Sequence, residues 1–398
     1  MQSNRNESAL RGVKVLDVAA LFPAPLLAAM LGDYGADVVK VEPPQGDGLR
    51  HVGTPSPQGS SSAWAVAGRN KRSVVLDLGD DVDINTLIQL TSVADIIVTN
   101  QSHQQLARWH CTTEEIAERN PRAIIVSLTA FGSSGPLRNV GANGTIAEAF
   151  SGVAELIGDR DGPPTLPSFA LGDTLGAISA FNGVLAALYW RDANDGRGQF
   201  IDASLYEPLL GLITSTFASW KDTDAPPTRN GCRLANAAPR NLYQTSDEHW
   251  MALSATTDAQ VARVFDLMSA SNALRARYAK SHQRVGTDAD ALDAEVAAWI
   301  CELTLADVLT RCHDARIPAA PVQSLNDVSN HHHVISRNNL VPLSSEHDAI
   351  RVPAPTPTLS ETPAHFRRAA PNIGAHTHEV LHDWLNTDNA ADGHGAKR

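Results

Sequence analysis

The chain has 398 residues, of which 43% are hydrophobic and 19% charged, with a formal net charge of −12. That length predicts two domains rather than one core. The composition excludes a disordered chain, and the acidic balance argues against a nucleic-acid partner, which calls for a basic surface. Cys111, Cys232, Cys301 and Cys312 form no C-x-x-C pair, a spacing that suits neither a zinc site nor a compact disulfide framework. Free thiols in a reducing cytoplasm are expected. Residues 1–11 are polar and lack the apolar stretch of a signal peptide. No apolar run reaches spanning length, so no membrane partner is expected. The longest apolar helical stretch, 177–190, is interrupted by Asn182 and Gly183 and reads as a buried helix.

In chain order, 13–18 reads as a strand, 25–34 as a helix stopped by Gly35, and 38–41 as the next strand. Further strands are expected at 73–78, 96–98 and 123–128. Between the last two, Thr112-Thr113-Glu114-Glu115 has the form of a capping box opening a helix that ends near Asn120. A long helix over 174–191 follows, then a turn at 195–198, a strand at 199–203 and a helix at 205–220. This strand–helix alternation predicts an α/β fold with a mainly parallel sheet. Pro226 and Pro227 break every pattern, so 221–231 reads as a linker. Beyond it lie a hairpin, 242–245 with 250–254, and helical segments over 259–315. The expected division is a large domain from 1–220, a small α+β domain over 232–317, and a return of 318–398 to the large domain, ending in a helix at 376–385 and a frayed tail from 386.

The chemistry centres on Ala170-Leu171-Gly172-Asp173-Thr174-Leu175-Gly176. An acid sits where a long helix begins. It reads as an N-cap, accepting backbone N–H groups and opposing the helix dipole. The alternative is a nucleophile, kept ionised by the same geometry and approachable between small neighbours; for an acid at such a position the cap is the more common role. Local pattern does not separate the two.

The surrounding motifs run in order: Arg11-Gly12-Val13-Lys14-Val15-Leu16-Asp17, Gly35-Ala36-Asp37-Val38-Val39-Lys40-Val41-Glu42, Arg69-Asn70-Lys71-Arg72-Ser73, Ala94-Asp95-Ile96-Ile97-Val98-Thr99-Asn100, Phe131-Gly132-Ser133-Ser134-Gly135-Pro136, Gly162-Pro163-Pro164-Thr165, and Gly196-Arg197-Gly198-Gln199. Together they resemble the class III coenzyme A transferases, the family of formyl-CoA transferase and the carnitine CoA-transferases, from about Leu10 to Leu385. The resemblance implies a Rossmann-like large domain built from both chain ends, an inserted small domain, and an interlocked homodimer. It implies that Asp173 attacks an acyl-CoA carbonyl, passes through a mixed anhydride and an aspartyl-CoA thioester, and hands CoA to a carboxylic acid. CoA enters as substrate; no permanently bound cofactor and no metal are implied.

Under the resemblance, Asn70, Lys71 and Arg72 match a segment near the nucleotide end of CoA, where cations suit phosphates; as residues alone they read equally as a solvated charge cluster before a strand. Asn100 matches an asparagine near the thioester, and Arg108 a CoA-contacting arginine or an exposed helical charge. Lys40 either reaches the cofactor or pairs with Glu42. The substrate pocket is expected at Phe22, Ala24 and Asn143. Phe22 stands where formyl-CoA transferase has glutamine, Pro23-Ala24 replace Ala-Gly, Asn143 replaces a common tyrosine, Gly144 its acidic neighbour, and Gln101 a phenylalanine. That transferase's glycine-rich loop has no counterpart here. These departures argue against formyl-CoA and oxalate. Phe22 points to a larger or more apolar acyl group, or simply to core packing.

The α-methylacyl-CoA racemases share the fold, but their histidine aligns with Asn143, which has no titratable proton. A lyase or hydrolase variant and a non-enzymatic CoA-ester binder are the other readings; Asp173 between Gly172 and Gly176 weighs against the binder. His331-His332-His333 cannot all face one ion from regular structure. Tyr243 and Trp250 read as small-domain core.

Overall fold

The computed structural model describes residues 8–55, 61–220, 226–234, 237–344 and 347–385. The start of the expected linker, 221–225, and the tail from 386 lie outside these residues. Contacts divide the chain into one unit of Met1–Val153, Pro167–Phe217 and Ser336–Arg398, and a second of Ala154–Leu166 and Ala218–Ile335.

In the first unit, short apolar runs form a parallel sheet buried on both faces, as βαβ crossovers require. The strands are β1 (Lys14–Asp17), β2 (Asp37–Glu42), β3 (Lys71–Val75), β4 (Ile96–Thr99), β5 (Ile124–Thr129) and β6 (Phe200–Ser204). They lie in the order β3-β2-β1-β4-β5-β6, each pair parallel. This is the doubly wound, Rossmann-type order. β3 begins two residues before the expected strand, because Lys71 and Arg72 find counter-ions inside the fold.

The crossover helices are α1 (Pro23–Asp33), α2 (Asp81–Val93), α3 (His103–Arg108), α4 (Thr113–Arg119), α5 (Gly144–Phe150) and α6 (Leu171–Ala193), followed after β6 by α7 (Tyr206–Leu212) and α8 (Thr214–Trp220). The 205–220 helix is therefore two, broken at Ile213. Proline at the first helical position starts α1. The Thr112 capping box opens α4: Glu115 N–H donates to Thr112 Oγ1 at 3.3 Å and Thr112 N–H to Glu115 Oε2 at 2.8 Å. α6 is 23 residues, long and apolar enough by length and composition to cross a membrane. It is instead the β5–β6 crossover, packed on β5, β6 and α1.

In the second unit, β7 (Arg240–Gln244) and β8 (Trp250–Ser254) form the expected antiparallel hairpin. Over it pack α9 (Asp258–Leu267), α10 (Thr287–Ile300) and α11 (Leu305–Asp314), around Tyr243, Leu253, Phe265 and Leu292. A third strand, β9 (Ala319–Pro321), pairs with β8. That pairing keeps the proline-rich stretch after 318 in this unit, so the return to the first unit comes at Ser336 rather than 318. Segment 154–166 also belongs here, through Arg229 with Glu155 at 2.6 Å and Arg160 with Asp290 at 2.6 Å. Tyr243 is buried, but Trp250 is half exposed on its strand, not core.

The returning chain forms a hairpin, β10 (Leu340–Ser344) with β11 (His347–Pro353), and a last helix, α12 (Thr377–Leu385). α12 covers β3 and α2, burying Val380 and Trp384 beside Leu16, Val74 and Leu87. α1 and α6 cover the opposite face of the sheet.

Candidate active site

In an open parallel sheet ligands bind beyond the carboxyl ends of the strands, where successive connections leave to opposite sides. Here that point lies between β1 and β4. The two loops leaving it are bracketed by Asn100: Ala20 N–H donates to Asn100 Oδ1 at 3.0 Å and Asn100 Nδ2 donates to Ala20 O at 2.7 Å. Below them lies a buried charge cluster. Lys40 Nζ is 3.0 Å from Asp47 and 3.6 Å from Asp17, and donates to Ala19 O. Lys71 Nζ is 2.7 Å from Asp17 and donates to Pro25 O at 2.7 Å. Arg50 pairs with Glu42 at 2.6 Å. Asp47 receives the N–H groups of Leu21 and Leu49. Burial drives the Lys71 ammonium down to about 8, against the pull of Asp17. Burial also lowers Lys40, but Asp17 and Asp47 outweigh it and hold Lys40 above its ordinary value.

α6 runs antiparallel to the strands, so its N-terminus also lies at their carboxyl end. The helix starts at Leu171, with Ala170 as an N-cap that supplies no side-chain bond. Asp173 is thus the third helical residue, not the cap. Its Oδ1 is buried without a hydrogen-bond partner. α5 starts against it. Asn143 caps α5 by accepting Ile146 N–H at 3.3 Å, and the next residue, Gly144, has no side chain where one would strike Asp173. A Cβ there would sit 2.7 Å from Asp173 Cγ and Oδ1 and 3.0 Å from its nitrogen. At Gly172 a Cβ would lie 3.0 Å from Gly144 O. One turn past Gly144, buried Glu148 accepts Gly172 N–H at 2.8 Å. Burial raises the Asp173 carboxyl above its ordinary value; the Gly144 N–H lowers it, and the Glu148 charge raises it further. A carboxylate so placed has one oxygen without a partner, is raised by burial and is held by rigid elements, the properties of a nucleophile. Thr129 Oγ1, at the carboxyl end of β5, is a second buried polar atom without a partner.

The sheet thus brings Asp173 and Asn100 to one end; Arg108 is exposed at the last position of α3 and in no ion pair among the described residues. The other expected cofactor contacts are placed differently. Asn70 lies where the chain enters β3, at the amino end of the sheet. It receives Arg367 and Arg368 N–H at 2.7 and 3.0 Å and donates to Asp33 and His365, which ties down the returning C-terminal chain. Arg72 is held by Asp37, Glu379 and Asp383. Lys71 and Lys40 are committed to the internal cluster, and Lys40 pairs with Asp17 and Asp47 rather than Glu42. In this structure these four side chains bind other parts of the chain. Ala24 is wholly buried in α1, and Phe22 packs against the Leu49–Trp64–Ala67 cluster, the core-packing alternative. Phe22 keeps part of its surface exposed, whereas Ala24 does not. Glu148 and Asp47 were not singled out from sequence, and Gly144 was read only as a departure from the family's acidic residue. The i, i+4 spacing of Gly144 and Glu148 is the sequence signal that puts them on one helix face.

The model of the CoA-transferase family III matches residues 10–377. The chain belongs to that family. The β subunit of succinyl-CoA–L-malate CoA-transferase from Chloroflexus aurantiacus is 35% identical over 382 residues, 94% of each chain. Succinyl-CoA–D-citramalate CoA-transferase of the same organism is 32% identical, covering 97% of this chain and 96% of its own. Succinyl-CoA:mesaconate CoA-transferase from Haloarcula hispanica is 30% identical over 98% of both. Among solved structures, a CAIB/BAIF family protein from Brucella suis matches with a TM-score of 0.83 at 24% identity, over 95% of this chain and 100% of that one, a likeness of fold. This CoA-transferase III chain is an enzyme that moves CoA between acyl-CoA thioesters and carboxylic acids.

Proposed function

We propose that this transferase takes CoA from succinyl-CoA and passes it to a small dicarboxylic acid through covalent intermediates on Asp173. The relatives named above all carry succinyl-CoA as donor and a dicarboxylate as acceptor. The observation that carries the mechanism is the uncapped, buried Asp173 oxygen in the first turn of α6. The carboxylate attacks the thioester carbonyl, the C–S bond breaks, and CoA thiolate leaves a mixed anhydride. The thiolate attacks the aspartyl carbon, releasing the donor acid and forming the aspartyl-CoA thioester. The acceptor carboxylate attacks that thioester, again expelling thiolate. The thiolate then takes the acceptor's acyl carbon and frees Asp173. No water enters, so the thioester energy is conserved.

Arg108 supplies the exposed cation for a CoA phosphate, and Asn100 holds the two loops at the switch point. Lys40, Asn70, Lys71 and Arg72 support the site from within. Succinyl-CoA followed by hydroxylamine should leave a hydroxamate on the Asp173 peptide by mass spectrometry. Asp173→Ala should lose CoA exchange across a panel of dicarboxylates. Full exchange in that variant, or a label on another residue, overturns the assignment.

The proposed assembly is the interlocked homodimer. α6 leaves Ile178, Leu185, Tyr189 and Trp190 exposed, with Tyr189 at 80%, on a helix apolar enough to be core. An exposed apolar face of this kind marks a protein partner.

A further inference from the structure

We propose that Glu148 is a positioning residue for the nucleophile: by taking the Gly172 N–H it keeps the Asp173 oxygen uncapped and reactive. The proposal rests on the reading of Asp173 as nucleophile and adds a residue to it.

The first turn of a helix presents N–H groups that no helical carbonyl satisfies. An acidic side chain within that turn ordinarily accepts them, which spends its charge. Asp173 lies in that turn, yet its Oδ1 has no hydrogen-bond partner, and the backbone N–H that acts on its carboxyl is that of Gly144 at the start of α5, not one of its own helix. The Gly172 N–H is instead taken by Glu148 Oε1, at 2.8 Å. Glu148 is buried, and it reaches α6 because Gly144, one turn earlier on the same face of α5, lets the helices approach. A hydrogen-bonded carboxylate is a weaker nucleophile, so diverting the donor preserves the basicity of Asp173. The negative charge of Glu148 acts in the same direction.

The elements packed against α6 are α1, α5, α7, β5 and β6. Their other acids are engaged elsewhere: Asp33 of α1 with Arg69, Glu207 of α7 with Ser204, and Asp202 of β6 with the Ser133 N–H. Glu148 is the neighbouring charge that raises the Asp173 carboxyl.

Glu148→Gln keeps an acceptor for Gly172 and removes the charge; Glu148→Asp keeps the charge and withdraws it from Gly172. The ¹³C carboxyl resonance of Asp173, assigned by its loss in Asp173→Asn, is titrated in the wild type and in both variants without substrate. In parallel, kcat and KM for CoA exchange are followed against pH. Glu148→Gln should titrate Asp173 at lower pH than wild type and move the acid limb of kcat the same way. Glu148→Asp should lower kcat at least tenfold with KM for the donor within about twofold, a positioning loss rather than a binding loss. Superimposable Asp173 titrations and acid limbs in wild type and Glu148→Gln overturn the proposal, as does a Glu148→Asp enzyme with wild-type kcat. A wild type that gives no hydroxamate on Asp173 sinks the nucleophile reading instead, and the substrate-free titration still reports whether Glu148 and Asp173 are coupled.

Discussion

Lys71 and Arg108 stand at opposite ends of what a cation does in a fold. Lys71 is fully buried, its three donors turned toward Asp17 and the Pro25 carbonyl. Arg108 is exposed at the last position of α3. Replacing Lys71 with methionine leaves buried Asp17 with the Ala19 N–H and, as its remaining cation among the described residues, Lys40 at 3.6 Å. Removing one partner of a buried pair costs about 3 kcal/mol, so Lys71→Met should unfold at markedly lower denaturant while its folded fraction keeps the wild-type KM for acyl-CoA. Arg108→Ala should do the reverse, with an unchanged unfolding midpoint and a KM raised roughly tenfold or more by loss of a charge-assisted phosphate contact. Denaturation curves and steady-state kinetics on the two variants separate an internal counter-ion from a cofactor contact. A side chain's charge is legible from its letter. Whether that charge faces a ligand or an aspartate of the same chain is not, because Asp17 and Lys71 are far apart in sequence and meet only when β1 and β3 fold into one sheet.

Two helix starts make the site. α6 supplies the proposed nucleophile in its first turn, and α5 starts against it with a residue that has no side chain. At Gly144 the added methyl of alanine would sit 2.7 Å from the Asp173 carboxyl carbon, far inside contact distance. Something shifts, and the nearest group is the carboxylate itself. A displacement of about 1 Å in a reacting group costs on the order of a hundredfold in rate. Gly144→Ala should therefore lose roughly that factor in kcat for CoA exchange, while far-UV circular dichroism stays that of wild type. The long helix and its acid were readable from the pattern 170–176. The acid's exact turn was not. Ala170 is a cap with no polar side chain, so the helix begins before the first residue that sequence rules would accept as a start. The capping box at Thr112 was readable because all its bonds lie within four residues.

For the whole molecule, the apolar surface left on α6 predicts a second chain. Light scattering after size-exclusion chromatography should return the mass of two copies. Tyr189→Arg, placing a charge on the most exposed of the four side chains, should shift that population toward one copy and lower exchange activity with it. A single-chain mass for the active wild type would remove the dimer from the proposal. At this scale the order of strands and helices was legible in the sequence, since strand runs and helical periods are local properties of the chain. The unit boundaries were not. β9 joins β8 across more than sixty residues, and segment 154–166 is held by Arg160 and Arg229 from partners far along the chain.

Composition and periodicity by themselves determined an α/β chain with an acid at the start of a long helix, because those signals are carried by residue type and near-neighbour spacing; the resemblance of the ordered motifs to the class III CoA-transferases made Asp173 the reactive-acid candidate. Only the tertiary structure decided which residues surround that acid. It turned Lys40, Asn70, Lys71 and Arg72 inward, and it brought Gly144 and Glu148 against α6. The physical reason is that hydrogen bonds and ion pairs between distant segments are chosen by where the folded backbone places them, and a buried carboxylate such as Glu148 takes the nearest unsatisfied N–H.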